Sequence, residues 1–249
     1  MLLDAAMGTR LIAAGLDVAS DDPCLWNLKY PERILGIHRL DFDAGAEAVS
    51  TNTFGANRSW LDRFGPRRSV GPILWKAAIL ARIAAGPGRF VVGSIGPTAT
   101  VEASLREQAD ILVEAGVDAL VLETFQVEQA VQALRSLKTV NIPILVGLFA
   151  WPDPIVATAH RLIDEGASIV GANCFADLDL AFRLIDELQA AGDGIFWLKP
   201  STGPPDRPLT TDDFGRIAAR LASVGTGLLG GCCGTSDEHL RTIRQAWRN

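Results

Sequence analysis

Three cysteines and two carboxylates are the residues of this chain best suited to chemistry: Cys174, Cys232 and Cys233, with Asp4 and Glu123. Adjacent cysteines seldom bridge each other, because the geometry is strained, so Cys232-Cys233 calls for another role. Metal ligation is one, thiolates being strong ligands for a soft or borderline ion. Consecutive side chains on a strand point to opposite faces. Both sulfurs therefore reach one ion only if the strand breaks there, and Gly230, Gly231 and Gly234 permit the break. Cys174, taken alone, reads equally well as a small buried hydrophobe. Cys24 follows Asp21-Asp22-Pro23 in a loop-like stretch and reads as incidental. A carboxylate ending a buried apolar strand is costly unless it faces a polar site. That favours function for Glu123 and Asp4, although an arginine partner for Glu123 and a turn cap before AMGT for Asp4 stay open. His38, His160 and His239 fall in helical stretches with no metal-ligand spacing, and are expected to pack or lie at the surface.

The elements that must position these residues recur along the chain. Short apolar runs alternate with amphipathic stretches, with no low-complexity linker between them. Strands are expected at Met1–Ala5, Ala48–Thr53, Phe90–Ile95, Ala119–Glu123, Ile144–Phe149, Ile169–Asn173, Ile195–Lys199 and Thr226–Gly231. Helices are expected at Pro31–Ala44, Ile73–Ala85, Glu102–Ala115, Val127–Leu137, Ile155–Glu165, Leu178–Ala190, Thr211–Ala222 and Asp237–Trp247. Glycine ends several helices, as in DAGAEAV, EAGVDAL and DEGASIV. The strands are continuously apolar, as buried parallel strands are. The alternation predicts an α/β fold, a single-domain (β/α)8 TIM barrel over residues 1–249. No GxGxxG follows the first strand, which disfavours a dinucleotide-binding open sheet. Barrel active sites form at the C-terminal ends of the strands. Asp4, Thr53, Ser94, Glu123, Cys174, Lys199 and Cys232-Cys233 all fall at such ends. Cys174 and the cysteine pair thus share one rim, close enough for side chains to meet around an ion.

Bulk properties narrow the setting. The chain has 249 residues, 48% of them hydrophobic, enough for a large core without disulfides. A net charge of −6 and scattered arginines argue against a nucleic-acid partner. MLLDAAMGT is not a signal peptide, and no apolar run is long enough to span a membrane, so a cytoplasmic protein is expected.

The segments DAAMGT, PERILGIHRLDFDAGAEAVSTNTFGANR, GSIGPT, LVLETF, GANC and GGCCGTSDEHL occur in that order over nearly the whole chain. They resemble the homocysteine S-methyltransferase family, which includes the homocysteine-binding domain of cobalamin-dependent methionine synthase and the betaine- and S-methylmethionine-dependent enzymes. DPCLWN is similar to a segment of the S-methylmethionine enzymes, and TNTFGA to one of methionine synthase. The resemblance implies a (β/α)8 barrel and a methyltransferase of methionine biosynthesis. It implies Zn²⁺ on Cys174, Cys232 and Cys233, carboxylates Asp4 and Glu123 receiving the substrate ammonium, and an amino-acid pocket formed around Thr53 and the Ser94-containing GSIGPT loop. The acceptor would be homocysteine or a similar small thiol. The donor would be a small onium such as S-methylmethionine or betaine, or methylcobalamin on a separate carrier protein, as in a split methionine synthase. No cobalamin- or folate-binding module is expected, since one barrel accounts for the chain. Three departures stand out: Ala5 where the family has glycine, Phe175-Ala176-Asp177 after the first cysteine, and Lys199-Pro200-Ser201-Thr202 where a Tyr-Pro-Asn-like segment is common. They leave open another small thiol, or a zinc-binding barrel without turnover.

Overall fold

The computed structural model describes residues 1–64, 69–98, 101–190, 196–204, 206–225 and 227–248, with 101 and 102 as backbone only. Seven strands form one parallel sheet in chain order: β1 (Ala48–Ser50), β2 (Phe90–Ile95), β3 (Ala119–Phe125), β4 (Ile144–Leu148), β5 (Ile169–Asn173), β6 (Phe196–Lys199) and β7 (Leu228–Leu229). Helices α1 (Met7–Ala13), α2 (Trp26–Lys29) and α3 (Pro31–Asp43) precede β1. The crossovers between strands carry α4 (Arg58–Leu61), α5 (Val70–Ala85), α6 (Val101–Glu114), α7 (Val127–Ser136), α8 (Ile155–Asp164), α9 (Leu178–Ala190) and α10 (Thr211–Val224). Helix α11 (Asp237–Ala246) follows β7. The helix-ending glycines Gly45, Gly116 and Gly166 have φ of 104°, 82° and 113°, the left-handed turn that a side chain resists.

The expected first strand is reduced to one bridge, in which Leu2 pairs with Leu229 in parallel. On its other side the Leu2 carbonyl accepts from the Glu47 and Ala48 N–H groups at 2.8 and 3.4 Å. The Leu2 N–H donates to the Glu47 carboxylate at 2.9 Å, so a side chain takes a bond that a ladder would use. The N-terminal segment therefore lies between β7 and β1 without extending into a strand. The last strand is also shorter than expected; Ile195 and Thr226, where the last two strands were expected to start, lie outside the described residues. β7 stops at Leu229 because the next two residues run against neighbouring backbone and side chain. A Cβ on Gly230 would lie 2.6 Å from the Asp4 carbonyl, and one on Gly231 would lie 2.3 Å from Thr235 Oγ1. Helices α1, α2 and α4 were not anticipated. They are short, and the N-caps of α1 and α2 offer no side-chain hydrogen bond to mark the start.

One residue from most strands points to the inner side of the curled sheet. Leu3, Ala48, Val92, Val121, Leu145, Trp197 and Leu228 form a buried cluster, joined by Ala119 and Ile169. Trp197 is the largest side chain of the cluster, and its indole N–H donates to the Val146 carbonyl at 3.1 Å. Gly147 and Gly171 make room for it: a Cβ on either would approach the indole to 2.5 Å. A second, larger core lies between the sheet and the surrounding helices.

Candidate active site

Side chains alternate along a strand, and that rule sets the polar layer above the apolar one. Two residues beyond Ala48, Val92, Val121 and Trp197 come Ser50, Ser94, Glu123 and Lys199. All four face a cavity of about 270 Å³ at the C-terminal ends of the strands, with Asp4, Ala5, Thr53 and the three cysteines in its wall. The volume suits a molecule smaller than a typical drug.

Cys174 follows β5 with a φ of 60°, unusual for a residue with a side chain. Cys232 and Cys233 lie in the turn after β7. The segment after β6 braces both loops. Cys174 N–H donates to the Lys199 carbonyl at 3.2 Å, and Ser201 N–H to the Phe175 carbonyl at 2.7 Å. Cys232 N–H donates to the Pro200 carbonyl at 2.7 Å, and Thr202 N–H to the Cys233 carbonyl at 2.9 Å. The Cys174 sulfur lies 2.8 Å from that of Cys232 and 3.8 Å from that of Cys233, and all three sulfurs fall within 4.8 Å of one another. Sulfurs on a tetrahedral ion with 2.3 Å bonds stand about 3.8 Å apart; the Cys174–Cys233 pair has that spacing, and the Cys174–Cys232 pair, 1.0 Å closer, must open to hold one metal ion. Contact among the thiols pulls the Cys233 pKa down and pushes that of Cys174 up. Cys24 is buried elsewhere, beside Asp22, and its thiol is pushed up by burial and then by that carboxylate.

The carboxylates are in different states. Asp4 is buried and accepts three hydrogen bonds: one oxygen accepts from Lys199 Nζ at 3.0 Å and Ser50 Oγ at 3.2 Å, the other from Ser50 N–H at 2.9 Å. It does not cap the following turn. Glu123 is partly open to the cavity. Burial pushes its carboxyl up to about 7, against the pull of the Lys199 charge and a hydrogen bond from Ser94. Thr53 lines the wall, its hydroxyl donating to the Ser94 carbonyl at 2.6 Å and lying 2.6 Å from the Thr51 hydroxyl, so it ties the segment after β1 to β2. Ala5 lies in the wall, and Phe175 is buried in the core.

Two features escaped the sequence. Lys199 was visible as a strand-end residue, but nothing marked Asp4 as its partner. Asn173, inside GANC, is fully buried; it accepts from Thr124 N–H at 2.9 Å and donates to Thr124 Oγ1 at 2.8 Å. Thr124 has a φ of 65° and sits at an irregularity of β3, directly after Glu123. One carboxamide thus ties the backbone beside Glu123 to the backbone beside Cys174.

A model of the family described as homocysteine S-methyltransferase matches residues 1–247. The chain belongs to the homocysteine S-methyltransferase family. This family member is 29% identical to the methionine synthase of Mycobacterium tuberculosis in an alignment covering all of this chain and 25% of that protein. It is 27% identical to betaine–homocysteine S-methyltransferase 1 of Bos taurus, covering 88% of this chain and 65% of that enzyme. The chain thus spans about a quarter of the methionine synthase and under two thirds of the betaine enzyme. The metallated form of the homocysteine methyltransferase MmuM from Escherichia coli shares the fold, with a TM-score of 0.81 at 23% identity over 98% of this chain and 95% of that one.

Proposed function

We propose that this methyltransferase-family chain is a zinc-dependent S-methyltransferase for a small thiol, with homocysteine the first acceptor to test and methionine its product. The observation that carries the reading is the convergence of three cysteine sulfurs at the wall of a small cavity that also holds Glu123, Asp4 and Lys199. Zinc held by three thiolates would supply a Lewis-acidic fourth position, at which a substrate thiol loses its proton near neutral pH. Cys174, Cys232 and Cys233 are the ligands. Glu123 is the carboxylate left open to the bound molecule, and Asn173 fixes the backbone on both sides of the site. A free thiol has a pKa of about 8.5, so only a few per cent is ionised at pH 7 without such help. The cavity wall is mostly apolar and holds the thiol's carbon chain, which orients its sulfur for attack on a methyl group. We read the N-terminal segment as the eighth member of the ring, giving a (β/α)8 barrel that residues 1–249 form as one domain.

The donor is either a small onium or methylcobalamin on a separate carrier protein. The test is methyl transfer by the purified, zinc-loaded protein to homocysteine, offered S-methylmethionine, betaine or a methylcobalamin-loaded carrier in turn. Product with any one donor, lost on chelation and regained with zinc, is expected. A protein that holds zinc and transfers from none of them to any small thiol is a metal-binding barrel without this activity.

A further inference from the structure

The turn that carries Cys232 and Cys233 packs directly against the N-terminal segment. Gly231 N–H donates to the Asp4 carbonyl at 3.0 Å, and Gly234 N–H to the Thr9 hydroxyl at 3.0 Å. Beside these contacts lies Thr235, which is fully buried. Its hydroxyl donates to the Cys232 carbonyl at 2.7 Å and accepts from the Ala6 N–H at 3.1 Å. A hydroxyl gives one hydrogen bond and takes another at the same atom, so a single side chain joins the two segments. The far end of this bridge is fixed as well. The Ala6 carbonyl accepts from Arg10 Nε at 2.9 Å, and both oxygens of the buried Asp41 hold the Arg10 guanidinium. One line of bonds thus runs from Asp41 through Arg10, Ala6 and Thr235 to the backbone of Cys232. Asp4, Ala5, Ala6 and Cys232 line the cavity, and Thr235 stands behind them. The sulfurs of Cys174 and Cys232, 2.8 Å apart, must separate to take one metal ion. Any shift of the Cys232 backbone in that opening reaches Ala6 through the Thr235 hydroxyl.

Building on the zinc-dependent thiol-methyltransferase reading, we propose that Thr235 is a positioning residue for the acceptor, coupling metal occupancy of the three-sulfur site to the cavity wall at Asp4, Ala5 and Ala6. Thr235→Val isolates that role. It keeps the volume and the stiff β-branch, removes both hydroxyl bonds and leaves the Ala6 N–H without its partner. The turn keeps its own closure, because the main-chain N–H of Thr235 also donates to the Cys232 carbonyl at 3.1 Å, and Cys232 N–H donates to the Pro200 carbonyl at 2.7 Å. The three sulfurs therefore stay available to a metal ion while the link to the wall is cut.

The experiment has two readouts on the full chain. The first is calorimetry of homocysteine binding at full zinc content. Thr235→Val is expected to bind about tenfold more weakly than the parent, and Thr235→Ser, which restores the hydroxyl, within about threefold of it. A merely structural threonine would lower the unfolding midpoint of Thr235→Val and leave that affinity unchanged, which overturns the inference. The second readout needs no variant and no thiol. Zinc loading of the parent should slow amide exchange at Ala6 by about tenfold more than at Ser168, whose N–H donates to the Ile144 carbonyl at the opposite end of the sheet. Equal slowing at the two amides, or none at Ala6, overturns the inference and leaves the methyltransferase reading standing. A parent that takes up zinc but binds no homocysteine contradicts homocysteine as the acceptor, and the exchange ratio then decides the inference alone. A parent that takes up no zinc overturns both.

Discussion

At the residue scale, the site depends on how a few side chains are held as much as on what they are. Asn173 satisfies the N–H of Thr124 and lies between two residues in left-handed backbone, Thr124 and Cys174. Such conformations persist only where neighbouring contacts over-determine them. Asn173→Ala removes both bonds and leaves the Thr124 N–H without its partner, at a cost of about 1–3 kcal/mol. The expected outcome is a lower unfolding midpoint together with weakened thiol binding. Unchanged stability and binding would show that Asn173 positions nothing. The cysteine pair stood out because glycines surround it and because adjacent cysteines rarely bridge; Cys174 stood out only by its place at a strand end on the same rim and by the family resemblance. The roles of Asn173 and Lys199 were not legible, because each depends on a partner far away in sequence, Asn173 on Thr124 and Lys199 on Asp4, and a single chain carries no sign of which distant residue will face which.

At the element scale, the tightest backbone constraint is Trp197 on the inner side of the sheet. A methyl on Gly171 would stand 2.0 Å from the Trp197 carbonyl oxygen, which is backbone and cannot turn away. Gly171→Ala is therefore expected to destabilise the fold by about 3 kcal/mol, read as a shift in the denaturation midpoint; a midpoint equal to the parent's would contradict this packing. The N-terminal region carries a pH signature. His38 on α3 is fully buried, and neither ring nitrogen has a hydrogen-bond partner. Burial holds its pKa near 4 instead of 6.5, opposed by Asp4 and assisted by Arg10. Below pH 6.5 the unfolded chain takes up a proton that the folded chain refuses. The stability from His38 is thus complete above pH 6.5 and falls as the pH drops towards 4, by about 3 kcal/mol. His38→Leu should flatten that acid limb relative to the parent, measured by denaturation at pH 7 and pH 4.5. Parallel curves would mean that His38 finds a partner. Strand order was readable from apolar runs, and Ser94, Glu123 and Lys199 from their places at strand ends; Ser50, which shares their layer, was not singled out. The two strand ends at Leu2 and Leu229 were not, because a Glu47 side chain and close backbone approaches stop them.

At the scale of the whole molecule, the fold acts as a frame that brings two distant loops together on one rim. Exposed arginine pairs tie successive helices around it, as in Arg161 with Glu128 from α8 to α7 and Arg220 with Asp186 from α10 to α9. They are open to solvent and screened by salt, so the frame rests on the two apolar cores. Among the described residues no helix is long and apolar enough to cross a membrane. Everything proposed for the chemistry rests on the three sulfurs acting as one metal-binding unit with Cys24 and Glu123 outside it. The most direct test is zinc content per chain, measured on the parent and on Cys174→Ser, Cys232→Ser, Cys233→Ser, Cys24→Ala and Glu123→Gln. The account predicts about one zinc per chain in the parent, in Cys24→Ala and in Glu123→Gln, and loss of most of it in each of the other three. Full zinc in Cys232→Ser, or its loss in Cys24→Ala, would contradict the account.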